Sequence, residues 1–172
     1  LVEFFSLYAD RKMVEVLENM SLEDMRVRDR ITEAVRVRLD LLAGHREAVR
    51  RALALLALPA HTALGVTCLA RTVDEMWRAS GDMATDFNFY TKRGLLAGVY
   101  GTTLLTWLAD ETEDFSVTWT FLDHRIDDVM KIQKARWWLD KRVADLPDPL
   151  AILRCFGEGN PDKADRLEDS SA

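Results

Sequence analysis

The segment Asp86–Asp110 reads DFNFYTKRGLLAGVYGTTLLTWLAD, and its second half is unusual for an acidic chain. The 16 residues between Arg93 and Asp110 carry no charge and include three glycines. Such a run is too apolar for an ordinary surface helix and shorter than the about 20 residues that cross a bilayer. The run therefore predicts a helix that is packed around something apolar.

The glycines of this helix lie close to one face. Gly94 and Gly98 are one turn apart, and Ala97 and Gly101 occupy adjoining positions, so this face has almost no side-chain volume. Glycine in a helix interior costs about 1 kcal/mol relative to alanine, and some other interaction must offset that cost. Two interpretations stay open, which are close contact with another core helix and the wall of a cavity.

Apolar periodicity on both sides of this segment predicts an all-α fold. The first predicted helix covers residues 1–18, and the second has about 22 residues, is capped by Ser21 and ends at Gly44. A third helix covers residues 45–57, and a fourth is capped by Thr62 and ends at Gly81. The last predicted helix covers about residues 114–146. In the last helix Phe115, Trp119, Leu122, Ile126 and Val129 share one face. We expect residues 1–146 to form one helical domain. Prolines interrupt residues 147–172, and their acidic end is predicted to be disordered.

Composition argues against several classes of function. A formal charge of −6 disfavours a broad nucleic-acid surface. The cysteines Cys68 and Cys155 have no zinc or redox spacing, and the chain contains no Glu-x-x-His pair, P-loop, dinucleotide motif or nucleophile elbow. The sequence therefore predicts no catalytic residues, no metal site and no cofactor, and the chain is not expected to be an enzyme.

Aromatic residues crowd the start of the glycine-containing helix. Phe87, Phe89 and Tyr90 stand among polar and charged residues, so they cannot all face the core. An exposed aromatic side chain at such a place is typical of a surface that binds another protein.

The stretch Lys131–Val143, KIQKARWWLDKRV, has a net charge of +4 within an acidic chain. Trp137 and Trp138 lie outside its aliphatic stripe, and Lys134 and Lys141 are among its basic residues. Tryptophan beside lysine and arginine is typical of a helix at an anionic membrane surface. A core-docked helix with a solvated basic face explains the pattern equally well, so both interpretations stay open.

The run VDEMWRASGDMATDFNFYTKRGLLAGVYGTTLLTWLADETEDFSVTWTFLDHRIDDVM, Val73 to Met130, contains a Trp, a Gly-Asp and then Thr-Asp-Phe-Asn-aromatic-Tyr-Thr-basic-Arg. It resembles the core of the ubiquinone-biosynthesis accessory proteins, the ninth family of Coq proteins. RITEAVRVRLDLL and RALALLALP fit that family more loosely, and the resemblance fades beyond Met130. The chain departs from the family at Phe89, where relatives often have Trp, and at the three glycines, where relatives commonly carry alanine or another small or polar residue.

The resemblance implies a TetR-like helical bundle whose helix-turn-helix would lie upstream of Leu1. It also implies a non-catalytic protein that binds isoprenoid, quinone or phospholipid ligands and associates with a di-iron hydroxylase and a membrane surface. We further expect a homodimer that binds no nucleic acid. It would lie in the cytoplasm against the inner membrane, or at the matrix face of the mitochondrion in a eukaryote. Because an isoprenoid tail is almost wholly apolar, no specific polar contact is expected in the ligand site.

The candidate site residues form three groups. The predicted lipid contacts are Leu95, Leu96, Gly98, Val99, Leu104 and Leu105. The predicted partner surface is Met76, Trp77, Asp86, Asn88, Phe89, Tyr90 and Arg93, and the predicted membrane contacts are Lys134, Trp137, Trp138 and Lys141. A TetR-type regulator with an apolar effector is the alternative function, and a basic recognition helix upstream would favour it. A purely structural dimer is the third possibility.

Overall fold

The computed structural model describes residues 1–81 and 88–144, and the side chains of residues 1–81 and 90–131. Its α-helices are α1 (Val2–Glu18), α2 (Val27–Leu42), α3 (Arg46–Leu56), α4 (Thr62–Ala79), α5 (Asn88–Ala109) and α6 (Ser116–Ala144). Two 3-10 turns, Ala43–His45 and Pro59–His61, precede α3 and α4. Within these ranges the chain contains no strand, and the all-α prediction is confirmed.

The chain divides into two compact units, Leu1–Lys131 and Ile132–Ala172. Of the second unit the structure describes only the helical backbone up to Ala144. The predicted domain end at residue 146 and the predicted tail at 147–172 lie outside the described residues.

The core of the first unit forms where the apolar stripes of its helices meet. α1 packs against α2 and α4, and α4 packs against α5. Fully buried side chains come from five of the helices, namely Met13, Leu39, Met76, Trp107 and Leu122. Burial of one such side chain stabilises the fold by roughly 1.5–3 kcal/mol. α3 buries only Val49 and is therefore a cover at the edge of the core.

Two helix starts differ from the sequence prediction. α2 begins at Val27, after Arg26, and Ser21 does not cap it. The chain before α2 instead forms a turn, in which Leu22 is buried and Arg30 donates to the carbonyls of Glu23 and Met25. Thr62 is the first residue of α4, and its hydroxyl donates to the Leu58 carbonyl 3.1 Å away. Helix caps depend on local backbone angles, which residue type alone does not determine.

Arginines of α3 bind the C-terminal end of α5. Arg46 Nη2 donates to the carbonyl oxygens of Trp107 and Asp110, each 2.7 Å away, and Arg50 Nη2 donates to the Leu108 carbonyl at 2.9 Å. The last carbonyls of a helix lack partners within the helix and carry its negative dipole end, so cations there are stabilising. These bonds fix α3 against the end of α5.

Asp110 joins α5 to α6. One carboxylate oxygen accepts bonds from the backbone N–H and the hydroxyl of Thr112, and the other accepts the same pair from Thr118 in the first turn of α6. Burial raises the pKa of the Asp110 carboxyl, but the hydrogen bonds from Thr112 and Thr118 together outweigh burial and hold the pKa well below 3.8. The charged form of Asp110 therefore stabilises the junction.

We expect Asp110→Asn to destabilise the fold by about 2 kcal/mol at neutral pH, because an amide nitrogen cannot accept the bonds from one threonine. The folded-state pKa of Asp110 lies below its unfolded value. Its stabilisation is therefore present above about pH 4 and is lost as the pH falls toward the folded pKa. The melting temperatures of the wild type and Asp110→Asn, measured by thermal unfolding between pH 7 and pH 3, should differ less as the pH falls.

Glu111→Gln is the matched control, since Glu111 is an exposed neighbour, and its melting temperature should stay near that of the wild type. A difference between wild type and Asp110→Asn that stays constant down to pH 3 would contradict this role for Asp110.

Candidate ligand-binding cavity

A cavity of about 600 Å³ lies in the first unit, between α1, α3, α4, α5 and the end of α2. Ligand sites in proteins usually have volumes of about 300–1,000 Å³. Most lining side chains are apolar, including Phe5 of α1, Leu42 of α2, Val49, Leu53 and Leu56 of α3, and Leu69 of α4. A cavity of this size and lining suits an apolar ligand.

The small-residue face of α5 forms part of the cavity wall. Ala97, Gly98 and Gly101 all line the cavity. A Cβ atom added at Gly94, Gly98 or Gly101 would meet no atom of the described residues within 4 Å. Among residues 1–81 and 90–131, therefore, no side chain or helix packs closely at these three glycines. The interpretation as a cavity wall fits the positions of Ala97, Gly98 and Gly101.

Close packing occurs instead at Gly65 of α4, which the sequence did not single out. A Cβ atom there would lie 3.3 Å from Leu56 Cβ of α3. Gly65 also lines the cavity, so its missing side chain brings α3 and α4 together beside the cavity.

Three of the six predicted lipid contacts line the cavity, namely Gly98, Leu104 and Leu105. Leu96 and Val99 are buried in the core, and Leu95 is half-buried outside the lining. Because consecutive helical residues face different directions, a helix that is apolar on every side does not reveal which of its leucines face the cavity.

The cavity opens to the surface between α4 and α5. Val66 and Leu105 both line it, and their side chains are 62% and 61% exposed. Large aliphatic side chains at an opening leave an apolar rim in contact with water.

The inner end of the cavity is polar, against the sequence expectation. Arg38 and Thr72 line the cavity and are 3% and 2% exposed. Arg38 Nε and Nη2 lie 3.1 and 3.0 Å from Asp10 Oδ1, and the Thr72 hydroxyl donates to the same oxygen at 2.8 Å. Arg71 Nε contacts the other oxygen of Asp10 at 3.2 Å. A buried ion pair at an apolar cavity gives the site a distinct polar end.

Tyr100 of α5 lines the cavity near this ion pair. Burial raises the pKa of the Tyr100 hydroxyl, the positive charge of Arg38 lowers it, and the charge of Asp10 raises it, so that the net pKa lies above 10.0. Tyr100 is therefore a neutral phenol at physiological pH and can donate or accept a hydrogen bond.

The sequence contained a signal for this polar end. Arg38 lies on the apolar face of α2 that also contains Val35, Leu39 and Leu42. A charged residue on an apolar helix face is rarely buried without a partner. Arg38 therefore indicates a carboxylate on the buried face of another helix.

The predicted partner surface is smaller than the sequence suggested. Met76 is 0% exposed and Trp77 is 8% exposed, so both belong to the core and not to the surface. Tyr90 is 80% exposed, and Arg93 Nε lies 2.6 Å from Asp74 Oδ1. Asp86 and the side chains of Asn88 and Phe89 lie outside the described residues. The buried face of α4 explains the first two positions, because Val73, Met76 and Trp77 lie on one helix face.

The predicted membrane contacts Lys134, Trp137, Trp138 and Lys141 lie in α6, but their side chains are outside the described residues, so membrane contact stays a prediction. In the part of the chain that the structure describes, no single helix is long and apolar enough to cross a membrane. One bent pair, Val27–Leu56 with Pro59–Ala79, meets that test by length and composition. The same residues contain no group of three or more His, Cys, Asp or Glu that could hold a metal ion.

Part of the chain is similar to proteins of a known family. The COQ9 family model matches residues 62–133, from the start of α4 into α6. The rat "Ubiquinone biosynthesis protein COQ9, mitochondrial" is 44% identical over 102 residues, 59% of this chain and 33% of the rat protein. The human protein of the same name is 41% identical over 59% of this chain and 32% of its own length. The Drosophila melanogaster protein is 32% identical over 77% of this chain and 42% of its own.

The fold also has a solved neighbour. The TetR transcriptional regulator from Nitrosomonas europaea superposes with a TM-score of 0.58 over 70% of this chain and 66% of that one, at 23% identity. The chain is therefore an all-helical protein of TetR-like fold with an apolar cavity. Through the segment 62–133 it belongs to the COQ9 family. It spans about a third of the length of the rat and human relatives.

Replacing Gly98 by leucine should fill part of the cavity, because Gly98 lines it and a Cβ added there meets none of the described residues within 4 Å. We expect Gly98→Leu to weaken the binding of diphenylhexatriene, an apolar fluorescent probe, at least about tenfold, which corresponds to about 1.4 kcal/mol. Helical circular dichroism should be unchanged or stronger, since leucine is the better helix former.

Gly94→Leu is the matched control. It makes the same chemical change on the same helix, at an exposed glycine with open space that does not line the cavity. Equal probe affinity in the two variants would show that the probe does not occupy this cavity.

Proposed function

We propose that the chain is a non-catalytic accessory protein of ubiquinone biosynthesis that binds an isoprenoid or quinone lipid and presents it to a di-iron hydroxylase. The observation that carries the proposal is the 600 Å³ apolar cavity, whose α5 wall lies within the COQ9-matching segment. Within the described part of the chain, no atom lies within 4 Å of a Cβ added at Gly98 or Gly101, which leaves space for a ligand.

The names of the relatives support the pathway. The rat, human and Drosophila proteins are all named ubiquinone biosynthesis proteins of the mitochondrion. Because this chain matches only part of each of them, their pathway and compartment are proposals for it. We propose the mitochondrial matrix in a eukaryotic cell, and the cytoplasmic face of the inner membrane in a bacterium.

The chemistry of the cavity supports binding without catalysis. Arg38 and Asp10 are occupied with each other, and Tyr100 is a neutral phenol. Because the pKa of Tyr100 lies above 10.0, its phenol does not readily exchange a proton near neutral pH and is not suited to general acid or base catalysis. Apolar burial at about 25 cal/mol per Å² is sufficient for tight lipid binding.

The hydroxylase surface that we propose centres on Tyr90. Its side chain is 80% exposed in the first turn of α5, within the segment that matches the family model. Exposed tyrosines are frequent at the centre of protein interfaces, because a large ring brings much contact area at a small loss of conformational freedom.

Solvent extraction of the purified protein, followed by mass spectrometry, tests the lipid-binding function. We expect the wild-type protein to retain a prenylated quinone or its phenol precursor, and Gly98→Leu, purified in parallel, to retain much less. Gly94→Leu should retain as much as the wild type. Equal lipid content in the wild type and Gly98→Leu would refute the proposed ligand site.

Truncation of Tyr90 tests the partner surface. Interface residues of this kind often contribute 2 kcal/mol or more, so Tyr90→Ala should raise the dissociation constant for the hydroxylase about 30-fold. Tyr8→Ala is the control, because Tyr8 is also a surface tyrosine, 61% exposed on α1. Calorimetry with the two purified proteins gives the comparison, and an equal effect of both substitutions would rule out a specific surface at Tyr90.

A further inference from the structure

The guanidinium of Arg38 has one nitrogen, Nη1, whose hydrogen-bonding capacity is not used by the part of the chain that the structure describes. Nε and Nη2 contact Asp10, and Nη2 also donates to the Ser6 carbonyl 3.3 Å away. Among the described residues Nη1 has no hydrogen-bond partner, although the side chain is 3% exposed. A buried donor of a charged group without an acceptor is destabilising, and most such groups in proteins are satisfied.

The location of Arg38 indicates what satisfies this nitrogen. Arg38 lines the cavity, together with Ser6, Thr72 and Tyr100, whereas the remaining wall is mainly apolar. A ligand with one polar end and an apolar body would fill the cavity and supply the missing acceptor. A pure hydrocarbon would fill the cavity and leave Nη1 without a bond.

We propose that Arg38 Nη1 donates a hydrogen bond to a neutral oxygen of the ligand head group, of the kind carried by a quinone carbonyl or a phenol hydroxyl. The proposal rests on the proposed function, since it assigns the polar part of the same ligand. Arg38 thereby determines specificity for head groups that carry oxygen over apolar lipids of equal length.

The charges around Arg38 favour a neutral acceptor over an anion. Asp10 lies 3.0 Å from Arg38 and compensates its positive charge. Arg71, which contacts the other oxygen of Asp10, also faces Glu3 at 3.8 Å. Tyr100 remains protonated beside the pair. Bringing a phosphate or carboxylate next to Asp10 would require the burial of a second negative charge, which is costly without a second free cation.

Competition against diphenylhexatriene measures this specificity. The competitors are a benzoquinone with a two-isoprene tail, an isoprenoid hydrocarbon of the same tail length and a fatty acid of similar length. We expect the quinone to displace the probe from wild-type protein at a concentration at least about tenfold lower than the hydrocarbon does, as a bond to a charged donor allows. The fatty acid should compete less well than the quinone.

Arg38→Lys is the test variant, because lysine keeps the charge beside Asp10 but lacks the second terminal nitrogen. Its preference for the quinone over the hydrocarbon, measured as the ratio of the two displacing concentrations within the same variant, should fall about tenfold relative to the wild type. If Arg38→Lys does not fold, Asp10→Leu with Arg38→Met removes the polar end without leaving a buried charge, and the same loss of preference is expected.

An unchanged quinone preference in these variants would overturn the role of Arg38, and a fatty acid that outcompetes the quinone would overturn the neutral acceptor. Wild-type protein that binds the probe but does not prefer the quinone would refute this inference alone. Wild-type protein that binds neither the probe nor any competitor would refute the proposed lipid-binding function itself.

Discussion

The ion pair between Asp10 and Arg38 is the constraint on which the rest of the structure depends. Two charges that leave water require good geometry and additional bonds, or they destabilise the fold. Here Asp10 belongs to α1, Arg38 to α2, and the Thr72 hydroxyl that also binds Asp10 belongs to α4. Sliding any of these helices by one residue would separate the partners and leave a buried charge alone. The pair therefore fixes the register of three helices, and the cavity begins where they meet α5.

The cavity explains why α5 contains glycines on the face that lines it. Three glycines cost the helix about 1 kcal/mol each. Close packing against the residues that the structure describes does not offset this cost, since added Cβ atoms would meet none of them within 4 Å. The core side of the same helix is well packed, with Leu96, Val99 and Trp107 buried. Stability alone would favour alanine on the open face. A ligand that occupies the cavity is an interaction that can compensate at Gly98 and Gly101, which line it.

The sequence predicted the helices well because apolar periodicity reports which face is buried. All six appear, and the stripe of Ile31, Val35, Arg38 and Leu42 is buried as one face of α2. The caps at Ser21 and Thr62 were wrong because they depend on turn geometry. Periodicity also could not assign the leucines of α5, since every face of that helix is apolar. The resemblance to the family predicted that Met76 and Trp77 lie on the partner surface. Their spacing of three and four residues from Val73 already indicated that they share its buried helix face. The polar end was not predicted, because the counter-charge of Arg38 is Asp10 on another helix, and helical periodicity does not pair residues of different helices.

The polar end also bears on how a lipid would be presented. With a head group at Arg38, the reactive ring lies at the closed end of the cavity, and the tail extends toward the rim at Val66 and Leu105. A hydroxylase cannot act on a ring in that position, so holding and presenting the lipid would be successive states of one complex. Tyr90 and the wall residues Ala97, Gly98 and Gly101 belong to the same helix, so a partner that binds the start of α5 acts on the element that encloses the ligand. A binding partner can shift the ligand equilibrium only by its differential affinity for the two states. The bond from Arg38 to the head group is thus part of the free energy that docking of the partner must overcome before the lipid is released.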